Sequence, residues 1–108
     1  MKSKSKLYRQ GDVLIQQIDA IPKDTKRQKA KGRIILAHGE VTGHHHSLAA
    51  NSADWWKLDG DESEQFLDVH QATEVVHQEH NPIALEPGRY RVLRQKEYAP
   101  VAIRNVTD

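Results

Sequence analysis

The sequence predicts a single all-β domain, built as a small barrel or sandwich of about eight short strands. Two observations predict it. Short apolar runs rich in Val, Ile, Leu and aromatic residues are separated by turn residues at roughly eight- to twelve-residue intervals. The apolar supply is modest, which suits a small barrel or sandwich better than a large α/β fold. With 108 residues, 37% of them hydrophobic and six aromatic, the chain can fill one small core and no more.

The elements follow in order. Residues 1–6 alternate Lys and Ser after the first methionine and read as a disordered basic arm, leaving 7–108 as the domain. Tyr8-Arg-Gln-Gly-Asp12 reads as a turn with Gly11-Asp12 at its tip. Val13–Ile18 has strand length and β-branched residues, and Pro22 stops it. Residues 23–32 hold five cations, Lys23, Lys26, Arg27, Lys29 and Lys31. They lack an apolar stripe, so a mobile basic loop is expected. Arg33–Ala37 is the second strand, and Glu40–Leu48 the third, after a turn that Gly39 permits. Trp55–Leu58 and Gln65–Val69 flank Asp59-Gly60, the clearest hairpin signal in the chain. Thr73–His77, Ile83–Leu85 and Arg89–Arg94 complete the set, the last two joined by a Pro87-Gly88 turn. Pro100–Asn105 is expected to form a short C-terminal helical turn.

Composition excludes several classes. No apolar run approaches membrane-spanning length. The basic start is not followed by an apolar segment, so it does not read as a signal peptide, and a cytoplasmic protein is expected. Zero cysteines remove disulfides and zinc–thiolate sites. Walker, dinucleotide, nucleophile-elbow and helical zinc-protease motifs are missing. The net charge of +1 hides a segregation: residues 1–37 carry ten Lys/Arg against three Asp/Glu, whereas 38–80 carry one against nine.

That acidic segment contains all seven histidines, at 38, 44, 45, 46, 70, 77 and 80. Neighbouring carboxylates favour imidazolium and attract cations. In an extended strand alternate side chains share a face. His44 and His46 then point one way with Leu48, and His45 points the other. His77 and His80 can supply the second half of a site. Three or four imidazoles, with Glu79 nearby, suit a divalent transition metal: Zn, Fe, Mn, Ni or Cu. Bound metal could support catalysis by activating water or polarising a carbonyl or phosphoryl group. A metal-free version would use Glu40 or Glu79 with the histidines as general acid and base. His38 and His70 are expected to be structural or exposed. The alternative is a non-enzymatic binding module or accessory subunit. It would contact nucleic acid or an acidic protein through Lys23, Lys26, Arg27, Lys29 and Lys31, and through the basic C-terminal strand with Arg89, Arg91, Arg94 and Lys96.

Two resemblances bear on this. Gly39-Glu-Val-Thr-Gly-His44-His-His46 resembles the first motif of the cupins, and Ile83-Ala-Leu-Glu-Pro87-Gly88-Arg-Tyr-Arg-Val92 resembles the strand–turn–strand of their second. The likeness implies a cupin-like sandwich with a metal on its strands. It departs where Ala49, Ala50 and Asn51 stand in place of an acidic ligand. No histidine follows Pro87-Gly88, so a third ligand would come from His77 or His80. The chain also resembles a group of small bacterial and phage proteins of no established function. That likeness lies in Tyr8-Arg-Gln-Gly-Asp-Val-Leu-Ile15, Gly39-Glu-Val-Thr-Gly-His44, His80-Asn-Pro-Ile and Pro87-Gly-Arg-Tyr-Arg-Val92. It implies a self-contained domain and carries no activity.

Overall fold

In the computed structural model, residues 6–38 and 43–94 are described. Their ten strands are β1 (Leu7–Gln10), β2 (Val13–Ile18), β3 (Thr25–Gln28), β4 (Arg33–His38), β5 (His45–Ala49), β6 (Ala53–Leu58), β7 (Asp61–Val69), β8 (Thr73–Val75), β9 (Ile83–Leu85) and β10 (Gly88–Arg94). A single 3-10 turn, Ala50–Ser52, links β5 to β6. The basic arm over 1–5, Glu40, Lys96 and the expected turn at 100–105 lie outside the described residues. Among the described residues no helix is long and apolar enough to cross a membrane.

Six strands form one sheet in the order β1-β2-β10-β7-β6-β3. Every pair in it is antiparallel. The β4–β5 and β8–β9 ribbons are separate two-stranded sheets, joined to each other by a bridge between Ser47 and Val76. The all-β expectation holds. Of its two forms, the closed barrel is not the one formed, because among the described residues β1 and β3 end the large sheet without pairing to each other.

Alternation decides which face is inside. Val13 and Ile15 of β2, Leu67 and Val69 of β7, and Tyr90 and Val92 of β10 are buried, and they share one cluster with Ile34, Leu36, Leu48, Val75 and Leu85 of the ribbons. Each such side chain contributes about 1.5–3 kcal/mol on leaving water. Tyr90 keeps its polar end satisfied, since its hydroxyl donates to the Glu86 carbonyl at 2.7 Å.

The strand count exceeds expectation by two, for physical reasons. The stretch read as a turn at 8–12 is a strand up to Gln10; only Gly11-Asp12 turns. Gly11 has φ +62, which a type II′ hairpin demands of its first loop position. The stretch read as a basic loop contains β3. It has no apolar stripe, but β6 supplies a partner, with Arg27 opposite Trp56 and Gln28 opposite Trp55. Arg27 donates to Asp54 at 2.7 Å and lies over the Trp56 ring. Tertiary pairing here overrides local propensity. Two expected strand ends also move. The third expected strand begins, as β5, at His45. The strand expected to reach His77 stops at Val75, so His77 opens the loop that follows the Val76 bridge.

Candidate metal centre

Three chain segments meet at the rim of the large sheet: the β1–β2 tip, the start of β5 and the loop after β8. The β1–β2 hairpin presents Gln10, Gly11 and Asp12. The entry to β5 presents His44 and His46. The loop presents His77 through His80.

His46 is the deepest member, 2% exposed. Its Nδ1 lies 2.8 Å from Gln10 Oε1. Gln10, also 2% exposed, donates from its amide nitrogen to the carbonyls of Val75 at 3.0 Å and Asn81 at 2.8 Å. Two carbonyl neighbours can be satisfied only by an NH2 group, so the Gln10 oxygen must face His46. It can only accept, so His46 Nδ1 carries the proton and Nε2 carries a lone pair. That lone pair faces Asp12 Oδ1 at 3.7 Å. The other Asp12 oxygen accepts from Arg94 Nε at 2.8 Å, and Arg94 also donates to the His38 carbonyl.

Burial pushes His46 down to about 4, helped by His77 and opposed by Asp12. His77 is lowered as well, by burial and then by His80 and His44. Both imidazoles are therefore neutral near pH 7, the form that can coordinate a metal. His77 Nδ1 accepts from the Glu79 backbone N–H at 3.0 Å, which places its proton on Nε2. The loop is tied to β5 by the His45 N–H, which donates to Gln78 Oε1 at 2.8 Å, and by Glu79, 3.4 Å from His44 Nδ1.

The four expected imidazoles come together. Ring centres lie 4.4 Å apart for His46–His77, 4.7 Å for His77–His80, 5.6 Å for His44–His77 and 6.2 Å for His46–His80. Imidazoles bound at about 2.1 Å by one ion, at angles of roughly 90–110°, would have centres about 4.5–5.2 Å apart. His77–His80 falls within that range and His46–His77 lies just below it, whereas His44–His77 and His46–His80 are wider. Among the described residues no three His, Asp or Glu side chains are arranged to hold a metal ion as they stand.

The remaining expected residues lie apart. His45 turns to the other side and meets His38 edge-on, with ring centres 6.3 Å apart. His70 lies by Asp54 at 4.0 Å. Glu79 is exposed beside His44, and Glu40 lies outside the described residues. Lys23, Lys26, Arg27, Lys29 and Lys31 belong to the β3 end of the sheet. Arg89 and Arg91 pair with Asp68 and Glu64 on neighbouring β7.

Sequence reasoning missed Gln10, Asp12 and Arg94 as members of this group. The sequence marks Gly11-Asp12 as a turn tip, and only the fold brings that tip against Asn81 and His80.

Gly11 is the close approach at the centre. A Cβ there would meet His80 Nε2 at 2.8 Å and His46 Cε1 at 3.5 Å. Gly11→Ala is expected to cost about 2 kcal/mol, from positive φ and from displacing His80. Urea denaturation checks this. Adding His80→Ala should restore the steric part and leave the backbone part, whereas full loss with His80 unmoved in NMR spectra would contradict the contact.

Comparison with known proteins adds a family. No curated protein and no solved structure matches the chain. A family model described as a domain of unknown function, DUF8820, matches residues 9–95. That span contains Gln10, Asp12, all seven histidines and Arg94, and the chain belongs to the DUF8820 family.

Proposed function

We propose that this is a transition-metal-binding domain whose ion is held among His44, His46, His77 and His80, with Asp12 as the adjoining carboxylate. One observation carries the reading. The Gln10 network leaves a neutral, buried His46 with its Nε2 lone pair facing a carboxylate oxygen at 3.7 Å. Two acceptors at that distance repel, and a cation between them turns the repulsion into attraction. Gln10 then acts as the outer partner that fixes ligand tautomer and ring orientation.

A nitrogen-rich set with one carboxylate suits Zn, Fe, Mn, Ni or Cu. His77 would have to give up the Glu79 N–H, which its Nδ1 accepts at 3.0 Å, to offer that lone pair to an ion. The exposed His80 gives the site its opening to solvent. An ion bound there would supply Lewis acidity for activating water or polarising a carbonyl or phosphoryl oxygen. Glu79, beside His44, is the carboxylate placed to take a proton.

Thermal melting of chelator-treated protein tests the reading. Adding one of these metals at about a hundred times its Kd should stabilise the fold by about 2.7 kcal/mol. The gain should vanish in His77→Gln/His80→Gln, which alters residues outside the core. An unchanged melting curve with all five metals would overturn the reading.

A further inference from the structure

The β3–β6 end of the large sheet carries a feature that the histidines do not explain. A cleft of about 660 Å³ lies there, lined by Arg27, Lys29, Lys31, Ile34, Ala53 and Trp55 among others. Its volume is that of a site for a small organic molecule and far exceeds what a bare ion needs. Ile34 and Ala53 are core residues, so the floor is apolar. Trp55 is a fixed wall: its indole N–H donates to Gln65 Oε1 at 2.8 Å, and the Gln65 amide donates to the Leu36 carbonyl at 2.7 Å. The cations stand at the rim. Arg27 is engaged by Asp54 and Trp56, whereas Lys29 and Lys31 are exposed and form no ion pair among the described residues.

An apolar floor, an indole wall and two uncommitted ammonium groups suit a ligand with a flat apolar body and a phosphate. We propose that this cleft binds a nucleoside phosphate, with the base against Trp55 and the phosphate at Lys29 and Lys31. An acidic peptide added as a strand along β3 fits less well. β3 has only four residues, and its edge carries Lys26 and Arg27, charges that discourage strand addition. The pairing with β6 also supplies the aromatic component that the basic segment lacks in sequence. Base–aromatic stacking beside cations is the usual means of holding single-stranded nucleic acid.

The same chemistry occurs in a free nucleotide and in a single strand, and one experiment separates them. Fluorescein-labelled (dT)8 is titrated against the full-length protein by anisotropy, with AMP and a glutamate octapeptide as competitors. Two phosphate contacts predict a log K against log salt slope of about −1.4, or about sevenfold weakening between 50 and 200 mM salt. Lys29→Glu/Lys31→Glu should weaken binding about tenfold or more, and Lys29→Gln/Lys31→Gln should weaken it less. Circular dichroism confirms that each variant is folded. Competition by AMP identifies the free nucleotide as sufficient, and its failure beside tight (dT)8 binding identifies the strand. Binding should be unchanged by chelator, which separates this site from the metal centre. Absence of binding by both nucleotide probes, equal competition by the glutamate peptide, or unchanged affinity in a folded charge-reversal variant would overturn the proposal.

Discussion

Gln10→Leu should cost about 3 kcal/mol of folding stability, because leucine fills the space and removes two buried hydrogen bonds and one part-buried one at once. The His46 Nδ1–H and the carbonyls of Val75 and Asn81 would all lose their partner. Denaturant titration reads the loss. The same variant should release the His46 tautomer, visible in histidine nitrogen chemical shifts, since no other partner of Nδ1 is in place. Metal affinity should then fall by roughly ten- to a hundredfold, the usual effect of removing an outer partner of a ligand. A stability change below about 0.5 kcal/mol, the size expected of an ordinary surface substitution, would contradict this account of Gln10.

Acid should destabilise the metal-free protein through His46. Its folded pKa of about 4 lies below the ordinary value of 6.5, so between those values the unfolded chain binds more protons than the folded one. Stability then rises with pH across that window and is lost as pH falls through it. The full span corresponds to about 3 kcal/mol. His77, lowered in the same direction, adds to the same slope. Chemical denaturation in the presence of chelator, at intervals from pH 4 to 7, should show the rise. His46→Gln should reduce it, and the difference between the two proteins isolates the histidine from carboxylates that titrate at the acid end. A flat difference profile would show that His46 is not held neutral by burial.

The grouping of the histidines was legible because a strand has a period of two. His44 and His46 separate from His45 on that ground alone, and the fold keeps them apart, with His45 turned to His38. Nothing local could reveal the floor beneath them. Gln10 is an ordinary polar residue in a sequence window, and its importance comes from contacts 36, 65 and 71 positions away. Asp12 looked like turn chemistry, and it does sit in the turn. Its second role appears only when β10 delivers Arg94 and β5 delivers His46 to its two oxygens.

The all-β class was legible for similar reasons, and the missing strands were not. β2, β7 and β10 advertise themselves by buried Val, Ile, Leu and Tyr at alternating positions. β3 has none of these. It is held by its pairing with β6 and by Arg27 between Asp54 and Trp56. Both the deep histidine and the basic cleft thus depend on long-range contacts: a hairpin tip reaches under His46, and a tryptophan strand lies beside a basic one.

Elemental analysis of the untagged protein, purified without contact with a nickel resin and then dialysed against each candidate metal, tests the central claim most directly. The account predicts about one equivalent of transition metal per chain, lost when His46, His77 and His80 are replaced together. Protein that is metal-free as isolated and takes up none of the five metals on dialysis would contradict it.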